Sequence, residues 1–262
     1  MKQRIITALI AAAAFIPIVL YGGWPFTVLI YFMAAVGLME ALKMNKIAPA
    51  SLPGLLSLIL LFIILLPEHF TETLQQAGYE KMELMTLLVL LLLAYVVVSK
   101  NRFHFEKAAF CVLAALYVGF GFYYFMETRE AGVLFVFFAL FITWATDSGA
   151  YFVGRSYGRR KLWPEISPKK TIEGSIGGVL SAMAVAVLFA LFADMGVAWP
   201  KLIIASAILS VFGQLGDLAE SALKRQYGVK DSGALLPGHG GILDRTDSWL
   251  FVFPLVHLLQ LV

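Results

Sequence analysis

The chain has 262 residues, of which 60% are hydrophobic and 14% charged, with a formal net charge of +3 at pH 7. Together with a mean hydropathy of +0.84, this balance excludes an ordinary soluble domain and places the chain in a bilayer. No apolar run alternates with period two, so a lipid-facing β-barrel is unsuited and helices remain as the way to satisfy the backbone in lipid.

Nine apolar stretches are predicted as transmembrane helices: residues 5–21, 25–42, 52–66, 82–99, 108–126, 133–152, 176–192, 202–220 and 249–262. Most approach the roughly 17–25 residues needed to cross the hydrocarbon core. The third and ninth are short, so tilt, bilayer thinning or polar flanks must extend them. The first follows Lys2 and Arg4 like a signal peptide, but its apolar core exceeds the usual ~7–15 residues and no polar mature domain follows, so an uncleaved helix is expected. With the N-terminus cytoplasmic and every stretch spanning, only Lys81, Arg129 and Lys201 of the 20 Lys and Arg fall outside, and 17 fall inside. That asymmetry follows the positive-inside rule. The single Cys111 lies within the fifth stretch, which excludes an intrachain disulfide and leaves it a packing role.

Three segments on the cytoplasmic side carry the polar chemistry. In the first, residues 143–161, Asp147 sits in or at the edge of an apolar helix, where a carboxylate needs a partner, a cation or water. It reads either as a helix-packing residue or as a substrate-site acid. The second, residues 167–178, places Lys169, Lys170, Thr171 and Ser175 just before the seventh helix, whose N-terminal N–H groups suit an anion. It lacks the P-loop order, and its lysines would alternatively meet anionic lipid headgroups. In the third, residues 217–247, Gln214, Asp217, Ser221 and Lys224 share one helical face. Asp244 and Asp247, three apart, point the same way if the last helix begins there. With Asp217 they form an oxygen-ligand set for a hard divalent cation, against the alternative of interfacial salt bridges.

Within that run, Ser221-x-Leu223-Lys224-Arg225, four residues, Lys230-Asp231-x-Gly233, and then Pro237-Gly238-His239-Gly240-Gly241-Ile242-x-Asp244-Arg245-Thr246-Asp247 resembles the signature of the phosphatidate cytidylyltransferase (CDP-diacylglycerol synthase) family without departure. The likeness covers residues 143–262; the first ~140 match only in being polytopic. The resemblance implies that CTP and phosphatidic acid react to give CDP-diacylglycerol and pyrophosphate for phospholipid biosynthesis. Two anionic reactants must then be neutralised and aligned, which metal ions and fixed cations do. Asp217 and Asp244 are expected as magnesium ligands, with Asp247 a third ligand or an orienting group; a second metal ion, divalent or monovalent, is left open. Lys169, Lys170, Thr171 and Ser175, with Asp147 and Ser221, are expected to bind substrate, the lysines taking the CTP phosphates. Lys224, Arg225, Lys230 and Arg245 are expected to balance phosphate charge, with Lys224 and Arg225 nearer the lipid headgroup. Asp231 completes the catalytic set, and His239 serves either as a phosphate contact or as a hinge hydrogen bond.

Two other classes compete. A transporter of anionic metabolites would show repeated halves, and the Lys230–Asp247 run has no second copy. A CTP-dependent polyprenol or phytol kinase would move the γ-phosphoryl group and release CDP. The expected architecture is an all-α polytopic integral membrane protein of about nine transmembrane helices with a cytoplasmic N-terminus. Residues 1–130 form its N-terminal and middle helices, and residues 131–262 its catalytic region. The site should face the cytoplasm of a bacterial inner membrane and open laterally for acyl chains. The resemblance also suggests a homodimer; no nucleic-acid partner is expected.

Overall fold

The computed structural model describes residues 2–235, 238 and 240–262, with backbone alone at 2–6, 8, 68 and 69. His239 and Pro237, both part of the signature, lie outside the described residues. Among the described residues the chain forms ten helices: α1 (Lys2–Tyr21), α2 (Gly23–Met44), α3 (Leu52–Ile64), α4 (Glu68–Gln76), α5 (Lys81–Val98), α6 (Phe105–Ala131), α7 (Val133–Tyr157), α8 (Ile172–Phe192), α9 (Trp199–Gln226) and α10 (Leu243–Leu258). Each of the nine apolar stretches coincides with a helix. The tenth, α4, is a short polar helix in the connection after α3. Among the described residues six helices, α2 and α5–α9, are long and apolar enough to cross a membrane by length and composition, while α3 and the apolar part of α1 are shorter. The chain is therefore an all-α, multi-pass membrane protein.

Local chemistry sets the helix ends. Gly22, at φ 71°, turns α1 directly into α2, and a Cβ there would run into the Arg129 guanidinium. Ser51 caps α3 by accepting from Gly54 N, and Thr171 caps α8 by accepting from Gly174 N. The three cations assigned to the outer side satisfy carbonyls that helix C-termini leave open. Arg129 donates to Val19 O at 2.6 Å and Leu20 O at 2.9 Å at the end of α1, Lys81 donates to Leu66 O just after α3, and Lys201 donates to Gln260 O after α10. Thr128 and His257 meet at 3.1 Å, joining the same ends of α6 and α10. These contacts gather one end of the bundle; the polar segments gather at the other.

The core is continuous through both parts of the chain. Phe125 of α6 stacks on Phe253 of α10 at 4.0 Å, and Phe15 of α1 stacks on Trp249 of α10. Thus α10 packs among α2, α6, α7 and α9. Small residues permit close approach, as the spacing of the glycines suggests. A Cβ at Gly119 would meet Ile64 of α3, one at Gly121 would meet Leu250 of α10, and one at Gly177 of α8 would meet Val153 of α7.

One segment differs from expectation. The connection between the sixth and seventh predicted helices contains an antiparallel hairpin of β1 (Lys161–Trp163) and β2 (Ser167–Thr171), with Lys161 opposite Thr171. The Glu173 carboxylate holds its entry by accepting from the N–H groups of Arg159 and Arg160. The hairpin presents Lys169 and Lys170 from a paired strand, and α8 starts at Ile172, four residues ahead of the predicted apolar run.

Candidate active site

Two cavities meet at the polar end. The first, of about 420 Å³, lies between α7, α8, α9 and β2 and is lined by Asp147, Arg155, Lys169, Lys170, Ser175 and Asp217. Its walls carry cations, hydroxyls and the first turn of α8. The Lys170 ammonium pairs with the Asp217 carboxylate, each side chain about a third exposed, and Ser221 Oγ donates to Asp217 Oδ1 at 3.4 Å. Gln214 Nε2 donates to Ser175 O at 3.3 Å, tying α9 to α8. The Thr171 hydroxyl lines the cavity but is used as the α8 cap.

The second cavity, of about 500 Å³, lies between α1, α2, α7 and α10. Ala11, Ala12, Phe15, Met33 and Trp144 make most of its wall apolar, whereas Asp147, Asp244, Arg245 and Asp247 cluster at one end. Asp147 lines both cavities. Asp147, Asp217 and Asp247 lie within electrostatic reach of one another, and Lys170 and Arg245 act on Asp147 from the two cavities.

Asp244 has a different environment. Its Oδ1 accepts from Lys224 Nζ at 2.6 Å, and its Oδ2 accepts from Ser232 N at 2.8 Å, Ser232 Oγ at 2.9 Å and Gly241 N at 2.9 Å. Gly240, at φ 87°, passes so close that a Cβ would touch this carboxylate. Lys224 is held on its other side by the buried Glu220, one turn earlier on α9. Lys224 thus sits between two acidic side chains, Glu220 and Asp244. Arg225 is exposed and donates to Ile166 O at 3.3 Å, bracing the hairpin. Lys230 and Asp231 are exposed on the following loop. Among the described residues Arg225, Lys230 and Asp231 line neither cavity.

The sequence reading missed Glu220 and Glu40. Glu40, buried on α2, accepts from Ser232 Oγ, Ile242 N and Leu243 N. The available signal was a carboxylate inside the second apolar stretch, the same signal that drew attention to Asp147. Glu220 lies one turn before Lys224 on α9 but was hidden among apolar neighbours.

Fold and site together define a polytopic membrane protein that brings a cation-lined cavity and an apolar slot to a shared cluster of carboxylates. The chain belongs to the cytidylyltransferase family, whose model matches residues 2–262. It is 52% identical over 262 residues to the phosphatidate cytidylyltransferase of Bacillus subtilis (strain 168), covering 99% of this chain and 97% of that protein. It is 48% identical over 259 residues to proteins of the same name from Staphylococcus epidermidis and Staphylococcus aureus, covering 99% of this chain and 98% of each. The likeness extends through the N-terminal helices, beyond the residues that carry the signature.

Proposed function

We propose that this chain transfers the cytidylyl group of CTP to phosphatidic acid, forming CDP-diacylglycerol and releasing pyrophosphate for phospholipid biosynthesis. The observation that carries this reading in the geometry is Asp147 at the junction of two unlike cavities, one suited to a polyphosphate and the other to a lipid. Family membership and relatives matched over 97–98% of their length support the same reaction. The hairpin cavity takes CTP, with Lys169 and Lys170 against its phosphates and Ser175 at the α8 N-terminus. The slot between α1, α2, α7 and α10 takes an acyl chain, so the lipid phosphate arrives beside Arg245.

The reaction joins a phosphate oxygen of phosphatidic acid to the α-phosphorus of CTP and breaks the bond to the β-phosphate. That oxygen is already ionised near neutral pH, so no Ser–His or Cys–His activation is needed. The chain's task is to align two anions and offset their charge. Asp217 and Asp247, with Asp147 beside them, are the residues that would hold magnesium. Among the described residues no three His, Cys, Asp or Glu side chains are close enough to hold a metal unaided, but all-oxygen donors that leave room for substrate oxygens are what magnesium uses. Bound there, the ion would neutralise phosphate charge and orient the nucleotide. Asp244, saturated by Lys224, Ser232 and Gly241, fits better as the anchor of this end of the site than as a ligand. Lys170, released from Asp217, would turn to the triphosphate.

The same reading includes nine spans with a cytoplasmic N-terminus and site, in a bacterial cell membrane. The three outer cations and their helix-capping contacts support that orientation. A homodimer belongs to it too, checked by the mass of the detergent-solubilised particle. The reaction is tested with purified protein, CTP, phosphatidic acid and magnesium. Pyrophosphate release should require all three and be lost in Asp217→Asn; release of CDP instead would support the kinase class.

A further inference from the structure

Glu40 lies outside the signature and far from the cavity-lining acids in sequence, yet it holds the polar loop in place. Its Oε1 accepts from Ile242 N at 3.1 Å, and its Oε2 accepts from Leu243 N at 2.9 Å and Ser232 Oγ at 3.2 Å. Ile242 and Leu243 open α10, where N–H groups lack helical acceptors and a carboxylate is favoured. Gly233 and Gly241 press against the same carboxylate, and a Cβ on either would overlap it. The fit is therefore specific to two glycines that belong to the signature.

Ser232 extends the contact. Its hydroxyl lies within hydrogen-bond distance of both Glu40 Oε2 and Asp244 Oδ2, and a hydroxyl has one hydrogen to share between them. Asp244 in turn holds Lys224, and Lys224 holds Glu220. A chain of polar contacts thus runs from α2 through the loop to α10 and α9, ending one turn from Asp217. A buried carboxylate on a membrane helix is costly. Here every partner named for Glu40 is a donor of the loop or of the α10 start.

We propose that Glu40 is a positioning residue: from α2 it fixes the loop around Ser232 and the first turn of α10, and so sets the placement of Asp244 and Asp247. It lines neither cavity. The activity arm rests on the cytidylyl-transfer reading, whereas the exchange arm does not.

Glu40→Gln keeps the shape but puts an NH2 group opposite N–H donors, so one end of the clamp must open. Per folded molecule, kcat should fall by about 10–100-fold, as expected when a site shifts by up to roughly 1 Å. KM for CTP and for phosphatidic acid should stay within about threefold. Ser232→Ala should lower kcat as well, and the double variant should lose less than the product of the two single losses. Hydrogen exchange at Ile242 and Leu243 should accelerate in Glu40→Gln. Wild-type kcat in Glu40→Gln, multiplicative losses in the double variant, or unchanged exchange would each overturn the proposal. If Glu40→Gln fails to fold, Ser232→Ala decides alone: unchanged kcat overturns the proposal. A wild-type protein without turnover would sink the reaction reading, leaving the exchange comparison to judge Glu40.

Discussion

Replacing Asp244 with Asn separates an anchoring carboxylate from a metal ligand. Four donor contacts of 2.6–2.9 Å converge on the two oxygens, with Lys224 alone on Oδ1 and the Ser232 and Gly241 donors on Oδ2. An amide offers one acceptor oxygen and one donor NH2 group, so it can accept from Lys224 or from the loop but not both. The side chains of the pair are only 4% and 13% exposed, and water compensates poorly. Loss of one charged hydrogen bond there costs about 1.5–3 kcal/mol; the larger cost of stranding a buried charge is avoided because Glu220 still holds Lys224. For a chain of this size that is a drop of roughly 3–12 °C in melting temperature. Turnover should fall with it, because the loop and the first turn of α10 lose their common anchor. In Lys224→Met the cost of Asp244→Asn should shrink by most of that amount. The assay is thermal unfolding in detergent beside turnover titrated with magnesium. A variant that melts like wild type but needs far more magnesium would show that Asp244 binds the ion, and would refute the anchoring role.

Lys170→Ala removes a cation from the hairpin cavity and should raise KM for CTP by about 10–100-fold with little change for phosphatidic acid. Arg225→Ala, at an exposed residue outside both cavities, should change neither KM by more than about threefold; separate titrations in mixed micelles decide both. Ala12→Trp fills the slot between α1 and α7 and should raise KM for phosphatidic acid by roughly 5–100-fold, the equivalent of 1–3 kcal/mol of overpacking, while KM for CTP holds. In a background lacking Cys111, cysteines at Arg160 and Lys230 should react with an impermeant thiol reagent only from the cytoplasm, and one at Glu72 only from outside. Outside labelling at Lys230 would overturn the nine-span topology and the route of CTP.

The helices were legible because lipid demands long apolar runs, and every predicted stretch became one. Their polar ends were not. α7 runs on to Tyr157, α9 continues to Gln226, and α10 begins at Leu243, six residues before the apolar run does, because backbone bonding continues wherever a helix lines a polar cavity. The hairpin was hidden: two strands of three and five residues carry no readable alternation. Within the site, the polar segments of the sequence marked Asp217, Asp244, Asp247 and Lys170 but not their division of labour. Asp244 and Asp247 looked alike at three-residue spacing, yet the loop folds its donors onto only one of them. Lys224 and Arg225 adjoin in sequence, but a helix turns neighbours to different faces, one inward to two carboxylates and the other out to the hairpin. Glu40 is separated from Ser232 by 192 positions, a distance over which one sequence carries no pairing signal.

The central claim is that the α-phosphorus of CTP moves to a lipid phosphate at the junction marked by Asp147. Its most direct test is a single incubation with CTP labelled separately at the α- and γ-phosphates, in detergent with phosphatidic acid and magnesium. The account predicts that α-label enters the lipid phase as CDP-diacylglycerol while γ-label leaves as pyrophosphate in equal amount, and that Asp147→Asn abolishes both. Entry of γ-label into lipid, or retention of both labels in the aqueous phase by an active and folded protein, would contradict it.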